Sequence, residues 1–216
     1  MTSAAPVHED RIRDLNDAPV RKGSYVLYWM QQAQRAHWNP ALETAIHLAN
    51  RCDRSLVVAF GLTTDYPEAN LRHYRFMLEG LAETADALAE RGIKFVLHWG
   101  RPPDVAAELA ENACRAVCDR GYLRHQARWR NEFARQAPCR VTQVEGDVVI
   151  PVETASHKPE YAARTLRPRI HRHLDDFLRP VPRVDPVKSS LPLHVTGLDA
   201  SAVDALGRKL DVDRSV

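Results

Sequence analysis

Ser24-Tyr-Val-Leu-Tyr-Trp-Met-Gln-Gln-Ala-Gln-Arg35 is the stretch whose reading decides the class of this chain. Tyr25 to Trp29 is an apolar, β-branched and aromatic run of strand length with no charge in it, the pattern of a strand covered on both faces in a parallel sheet. The polypeptide then turns amide-rich and basic at Gln31, Gln32, Gln34 and Arg35. In open α/β sheets ligands bind beyond the carboxyl ends of the strands, where strand order reverses. As the end of a first, central strand, Trp29 to Arg35 lies either on the lip of a ligand crevice or in an ordinary loop whose glutamines face water.

Outward from this stretch, strands and helices alternate. Asn39-Pro40 starts a helix, because asparagine caps and proline needs no N–H at the first helical position. Leu42, Ala45, Ile46 and Ala49 then make an apolar stripe. Ser55 to Phe60 reads as the next strand, ended by Gly61. Asn70 to Arg91 reads as a long helix stopped by Gly92, its stripe of Tyr74, Leu78, Leu81 and Leu88 assigned to core packing. Strands at residues 93–99, 115–119 and 141–144 follow, separated by helices ending near Leu109 and Gln136. Short connections in a strand–helix alternation specify βαβ units. The expected fold is α/β: a Rossmann-like, doubly wound, five-stranded parallel sheet with helices on both faces, followed by a Pro-rich linker.

The expected organisation is a partly ordered lead-in at 1–23, an α/β domain at 24–155, a linker at 156–196 marked by Pro180, Pro182, Pro186 and Pro192, and a segment at 197–216. In that last segment Val203, Leu206 and Leu210 form a weak helical pattern with nothing in the sequence to cover them.

Composition excludes several classes. With 44% hydrophobic and 27% charged residues and a net charge of +2, the 216-residue chain is that of an ordinary globular protein, not an overtly basic nucleic-acid binder. No apolar run approaches the roughly 20 residues of a bilayer span. Glu9, Asp10, Asp14 and Asp17 replace the apolar core of a secretory signal, so a cytoplasmic protein is expected. Cys114 and Cys118 are four apart in a strand, which places them on one face, and with Cys52 and Cys139 they read as reduced, buried thiols. The histidines are scattered, and His171 and His173 have the wrong spacing for one helix face; no metal site is expected. The turn after the first strand lacks the glycines of a dinucleotide-binding loop. Asp119-Arg120-Gly121-Tyr122 ends a strand and reads either as a site on the ligand edge or as an aspartate capping the next helix. Arg120, Arg124, Arg128, Arg130 and Arg135 form either a phosphate-binding stripe or a solvated helix face.

Several segments, in register, resemble the class II cyclobutane pyrimidine dimer photolyases. They are Tyr28-Trp29-Met30-Gln31 with Gln34-Arg35, Arg72-His73-Tyr74-Arg75-Phe76-Met77-Leu78-Glu79-Gly80-Leu81, Arg91-Gly92-Ile93, Asp119-Arg120-Gly121-Tyr122-Leu123-Arg124 and Tyr161-Ala162-Ala163-Arg164-Thr165-Leu166-Arg167-Pro168. The resemblance runs from about residue 11 to the C-terminus. It implies an N-terminal α/β domain, a long linker and a C-terminal helical domain that holds FAD, takes the flipped-out dimer and delivers the electron. On that pattern 197–216 is the start of a missing helical FAD domain. The chain by itself is then not catalytic, and its partners are that domain, in cis or in trans, and UV-damaged DNA. In the family the α/β domain can house an antenna chromophore, a deazaflavin or a folate. Carried to the strand ends of this sequence, the antenna contacts are Trp29, Met30, Gln31, Arg35, Asp119 and Tyr122. The same residues could instead pack against the helical domain. The alternative function is a stand-alone nucleotide-binding or docking module of the same architecture, such as a universal-stress-like protein.

Overall fold

Strands β1 (Ile12–Asp14), β2 (Tyr25–Trp29), β3 (Ser55–Leu62), β4 (Lys94–Trp99), β5 (Ala113–Asp119) and β6 (Arg140–Val144) form one sheet in the order β1-β6-β5-β2-β3-β4. A computed structural model describes residues 5–215. β2 to β6 are mutually parallel, with β2 central, and this is the doubly wound core expected from the sequence. The sheet has six strands rather than five, because the lead-in supplies an antiparallel edge: Ile12–Asp14 pairs with Thr142–Val144. Thr142 Oγ1 donates to Asp14 Oδ1 at 2.7 Å and the Glu145 N–H to the Arg11 carbonyl at 2.8 Å. So short and polar a strand carries no hydrophobic alternation, and only its partner defines it.

Both faces of the sheet are covered. Helices α1 (Pro40–Arg51) and α2 (Leu71–Glu90) pack on the face of Val26, Tyr28, Val58 and Phe60. Helices α3 (Pro102–Ala110) and α4 (Arg124–Gln136) pack on the face of Leu27, Trp29, Ala59 and Cys118. Asn39 Oδ1 accepts from the N–H groups of Ala41 and Leu42 and caps α1 as its sequence position specifies. Gly92, at φ 71°, takes the left-handed conformation that ends α2.

Two local readings change. β3 does not end at Gly61 but runs to Leu62. At Gly61 a Cβ would lie 2.7 Å from the Pro102 backbone, so this glycine admits the start of α3 against the strand. Cys114 and Cys118 lie on opposite faces, in different clusters. The register against β2 slips from Tyr25↔Ala113 to Val26↔Arg115, leaving Cys114 as an extra residue that inverts the alternation.

The chain beyond β6 forms α5 (Val152–Ala155), α6 (Ala163–His171), α7 (Leu174–Phe177) and α8 (Val203–Lys209). The proline-rich stretch is extended yet bonded along its length. Ser190 N–H donates to the Gly92 carbonyl (2.9 Å), Lys94 N–H to Ser190 Oγ (2.7 Å), and Leu198 N–H to the Leu97 carbonyl (2.7 Å). Below it lies a buried ion pair. Arg91 Nη1 sits 2.9 Å from Glu43 Oε1, and Arg91 also donates to the carbonyls of Ala36 (2.8 Å) and Val184 (2.9 Å). Glu43 Oε2 accepts the Val184 N–H at 2.6 Å. Helices α1 and α2, the loop after β2 and the extended segment therefore meet at two compensating charges.

The last segment also departs from expectation. Leu206 and Leu210 are buried with Leu78, Leu81, Phe60 and Leu97, and α8 packs on α2. The residues that looked uncovered complete a third core cluster of the α/β unit itself, because the extended segment returns the chain to β4 first. Leu210→Ala should therefore cost about 2–5 kcal/mol, as removal of a buried leucine does. The urea midpoint should fall at unchanged m-value, whereas a loss under about 0.5 kcal/mol would mean a surface leucine.

Candidate functional site

β2 and β5 are neighbours at the centre of the sheet, and their chains leave toward opposite faces, β2 into α1 and β5 into α4. Asp119, the last residue of β5, bridges the split. Its Oδ1 accepts from the Tyr28 hydroxyl at 2.7 Å. Its Oδ2 accepts from the backbone N–H groups of Gln31 and Gln32, both at 2.9 Å, and of Ala33 at 3.2 Å. Asn39 extends the network: Nδ2 donates to the Tyr28 oxygen and to the carbonyls of Ala33 and Arg35. Burial pushes the Asp119 carboxyl up from its ordinary range, against the opposing pull of the hydroxyl and the three amides. Burial, together with the adjacent carboxylate, also holds the Tyr28 hydroxyl far above its ordinary value. Asp119 thus does not cap α4 and is not part of the lining of the cleft above it. It holds the Met30–Ala33 turn in place from below.

Above that turn opens a cleft of about 850 Å³, within the usual range for small-molecule sites. Met30, Gln31, Gln32 and Gln34 form its floor, with Phe60, Gly61 and Leu62 from the end of β3. One wall comes from α2 through His73, Tyr74, Phe76, Met77 and Gly80, and the other from Leu123, Gln126 and Trp129 at the start of α4. Tyr66, from the loop after β3, stands edge-on to His125 and Trp129, with ring centroids 4.8 and 6.4 Å away. Gln126 donates to Gln32 Oε1 (2.6 Å) and accepts the Leu123 N–H (3.2 Å). Its amide lies where a Cβ on Gly121 would stand, 2.4 Å from Oε1, so only glycine fits there. Among the described residues the lining holds no lysine or arginine. The cleft is apolar, aromatic and amide-bearing, and it suits a flat uncharged ring better than a phosphate.

The six residues expected from the sequence separate into three groups. Trp29, Met30 and Gln31 line the cleft, although most of the Trp29 ring packs in the core, edge-on to Phe133 at 5.1 Å. Asp119 lies beneath them. Arg35 and Tyr122 are not part of the lining. Arg35 Nε donates to the Trp38 carbonyl at 3.3 Å, and Tyr122 donates to Glu145 Oε1 at 2.5 Å beside the Arg120 guanidinium. Nor do the arginines near α4 make a phosphate stripe. Arg120 pairs with Glu145 and Glu153, and Arg130 turns inward to the Gly121 carbonyl at 2.9 Å. Sequence reasoning missed Tyr66, Gln126, Trp129 and the Phe76–Met77 edge of α2. Gln126 and Trp129 stand three apart in the first two turns of the helix that follows β5, a signal that was legible. The contribution of α2 was not, because its stripe reads as core throughout.

Residues 26–187, most of the chain, match the family model described as DNA photolyase. The chain belongs to the DNA photolyase family. It is 51% identical over 176 residues to the deoxyribodipyrimidine photo-lyase of Methanothermobacter thermautotrophicus, covering 81% of this chain and 40% of that protein. It is 35% identical over 196 residues to the enzyme of the same description from Potorous tridactylus, covering 88% and 36%. This photolyase-family chain therefore spans about two fifths of the length of the curated relatives it matches. Among solved structures, the archaeal photolyase of Sulfolobus tokodaii superposes with a TM-score of 0.65 at 12% identity, over 84% of this chain and 41% of that one. The class III photolyase of Agrobacterium tumefaciens gives 0.59 at 18% identity, over 83% and 38%. At such identities these two likenesses concern the fold alone.

The Asp119 network generates a stability prediction for this family member. Asp119→Asn sets an NH2 group against either three amide donors or the Tyr28 hydroxyl and should cost about 1–3 kcal/mol. Tyr28→Phe removes one donor and should cost about 1 kcal/mol. The sign with pH follows from the raised carboxyl. Protonation favours the fold, a contribution complete below the unfolded value of about 3.9 and lost as pH rises through the folded one. Because the Tyr28 hydroxyl holds the carboxyl down, Tyr28→Phe should lose more stability at about pH 7 than at about pH 4. Urea denaturation at both values tests this, and equal losses would assign the hydroxyl no electrostatic part.

Proposed function

We propose that this chain is the α/β, antenna-type domain of a light-driven DNA repair enzyme acting on cyclobutane pyrimidine dimers, and that its cleft takes a light-harvesting chromophore. The observation that carries the reading is the cleft at the β2–β5 switch point, aromatic, amide-bearing and, among the described residues, without lysine or arginine, in a member of the DNA photolyase family. The Sulfolobus tokodaii photolyase structure, which holds two FAD molecules with the implication of a novel light-harvesting cofactor, is a parallel for a second chromophore in such a protein. A deazaflavin or a folate supplies absorption of near-ultraviolet and blue light and passes the excitation on. This chain's residues would do the rest: Trp129, Tyr66 and Met77 flank the ring, Gln31 and Gln32 face its polar edge, and the turn over Asp119 fixes both glutamines.

We assign FAD, the dimer contacts and electron delivery to a helical domain of the whole protein, acting in cis or in trans. On this reading residues 24–155 are the antenna unit and 156–196 the strap that runs back along it to β4, while the described part of 197–216, packed on α2, belongs with the unit it covers. A nucleotide-binding module is the weaker reading, because nothing in the cleft cradles a phosphate. Among the described residues no helix is long and apolar enough to cross a membrane, in keeping with a protein that works on DNA.

The purified chain should take up deazaflavin or folate with a near-ultraviolet or blue absorption band, and by itself should leave dimers in irradiated DNA intact under light. Mixed with, or joined to, the helical domain of a relative it should support repair. Light-dependent repair by the chain alone would overturn the assignment.

A further inference from the structure

Gln31 is the one residue of the cleft floor whose side chain is unexplained. It is 91% buried (9% exposed), yet neither Nε2 nor Oε1 has a hydrogen-bond partner among the described residues. A buried primary amide with both ends unpaired is costly and needs an occupant or a purpose. Its neighbours are not in this position. Gln32 and Gln126 bond each other, and Asn39 is saturated by Tyr28, Ala33, Arg35 and the start of α1. Gln31 is also held in place, because its backbone N–H is fixed on Asp119.

We infer that Gln31 is the specificity-determining residue of the cleft, reading a planar heterocycle through a lactam or imide edge. A carboxamide presents a donor and an acceptor side by side, the complement of a ring N–H next to a ring C=O. A ring seated that way pairs both orphaned atoms at once and lays its faces against the Trp129 and Tyr66 walls. A carboxylate or phosphate would satisfy only Nε2 and would meet no lysine or arginine in the described lining. The group that Gln31 reads is therefore a neutral, flat, amide-edged ring, which excludes simple hydrocarbons and small inorganic anions.

The inference rests on the chromophore reading above, and the test separates the two. The full 216-residue chain is titrated with lumiflavin, which carries an imide edge, and with a derivative methylated on the imide nitrogen. Fluorescence reports binding. Lumiflavin should bind, and methylation should weaken it roughly ten- to hundred-fold, the loss expected of a pair of buried hydrogen bonds. Gln31→Leu and the similarly sized Gln31→Met should each impose the same loss on lumiflavin and none further on the methylated probe, a closed double-mutant cycle. Without ligand, neither variant should lower Tm, since each removes an unpaired buried amide. Equal methylation penalties in the wild type and both variants, or unchanged affinity in both, would overturn the role of Gln31 and leave the chromophore reading standing. A wild-type chain that binds neither probe would overturn both.

Discussion

A single buried carboxylate determines how this fold opens. Asp119 lies at the end of β5 with Tyr28 and the Gln31–Ala33 backbone converging on it from β2. Without those four donors the carboxyl could not remain in the interior, and without its oxygens three consecutive amide N–H groups would lack an acceptor. The two requirements meet only in one geometry of the turn, with the glutamine side chains directed upward and α1 started at Asn39. The cleft is the upper surface of that solution. Its polarity follows: backbone donors that in a dinucleotide-binding turn would face a pyrophosphate here face an internal carboxyl group, so the site offers side-chain amides in their place.

The second organising contact is the Arg91–Glu43 pair. A buried pair alone is weak support for stability, but this one is also bonded by the Ala36 carbonyl and by both the carbonyl and the N–H of Val184, so two further segments are tied to it. It fastens the extended stretch near Val184 to the bottom of the sheet. From there the chain runs along β4 and delivers α8 to α2. The proline-rich stretch is thus a strap more than a spacer, and the wall of the cleft formed by α2 is braced from behind by Leu206 and Leu210.

Much of the architecture was legible because it follows from local chemistry. Apolar runs marked the central parallel strands β2 and β3, Asn39-Pro40 marked the start of α1, and Gly92 the stop of α2. What was not legible depended on partners far away in sequence. β1 is polar and three residues long, a strand only because β6 lies beside it. The bulge at Cys114 inverts an alternation that residue spacing alone cannot reveal is broken. Of the candidate site, Trp29, Met30 and Gln31 could be found from their place after a central strand, while Arg35 and Tyr122 share that address but turn to local partners.

By itself, then, the amino-acid sequence determined the α/β class, the central place of Tyr25–Trp29, the absence of a glycine-rich phosphate loop and the likeness to photolyases, because each is written in the spacing and type of neighbouring residues. Only the tertiary structure decided that Asp119 lies beneath the cleft and supports its turn, that the tail packs into the core, and that one glutamine is left unpaired in a cleft walled by α2 and α4. Those outcomes depend on which groups exhaust one another's hydrogen bonds and apolar surface at long range, and a linear sequence does not record that.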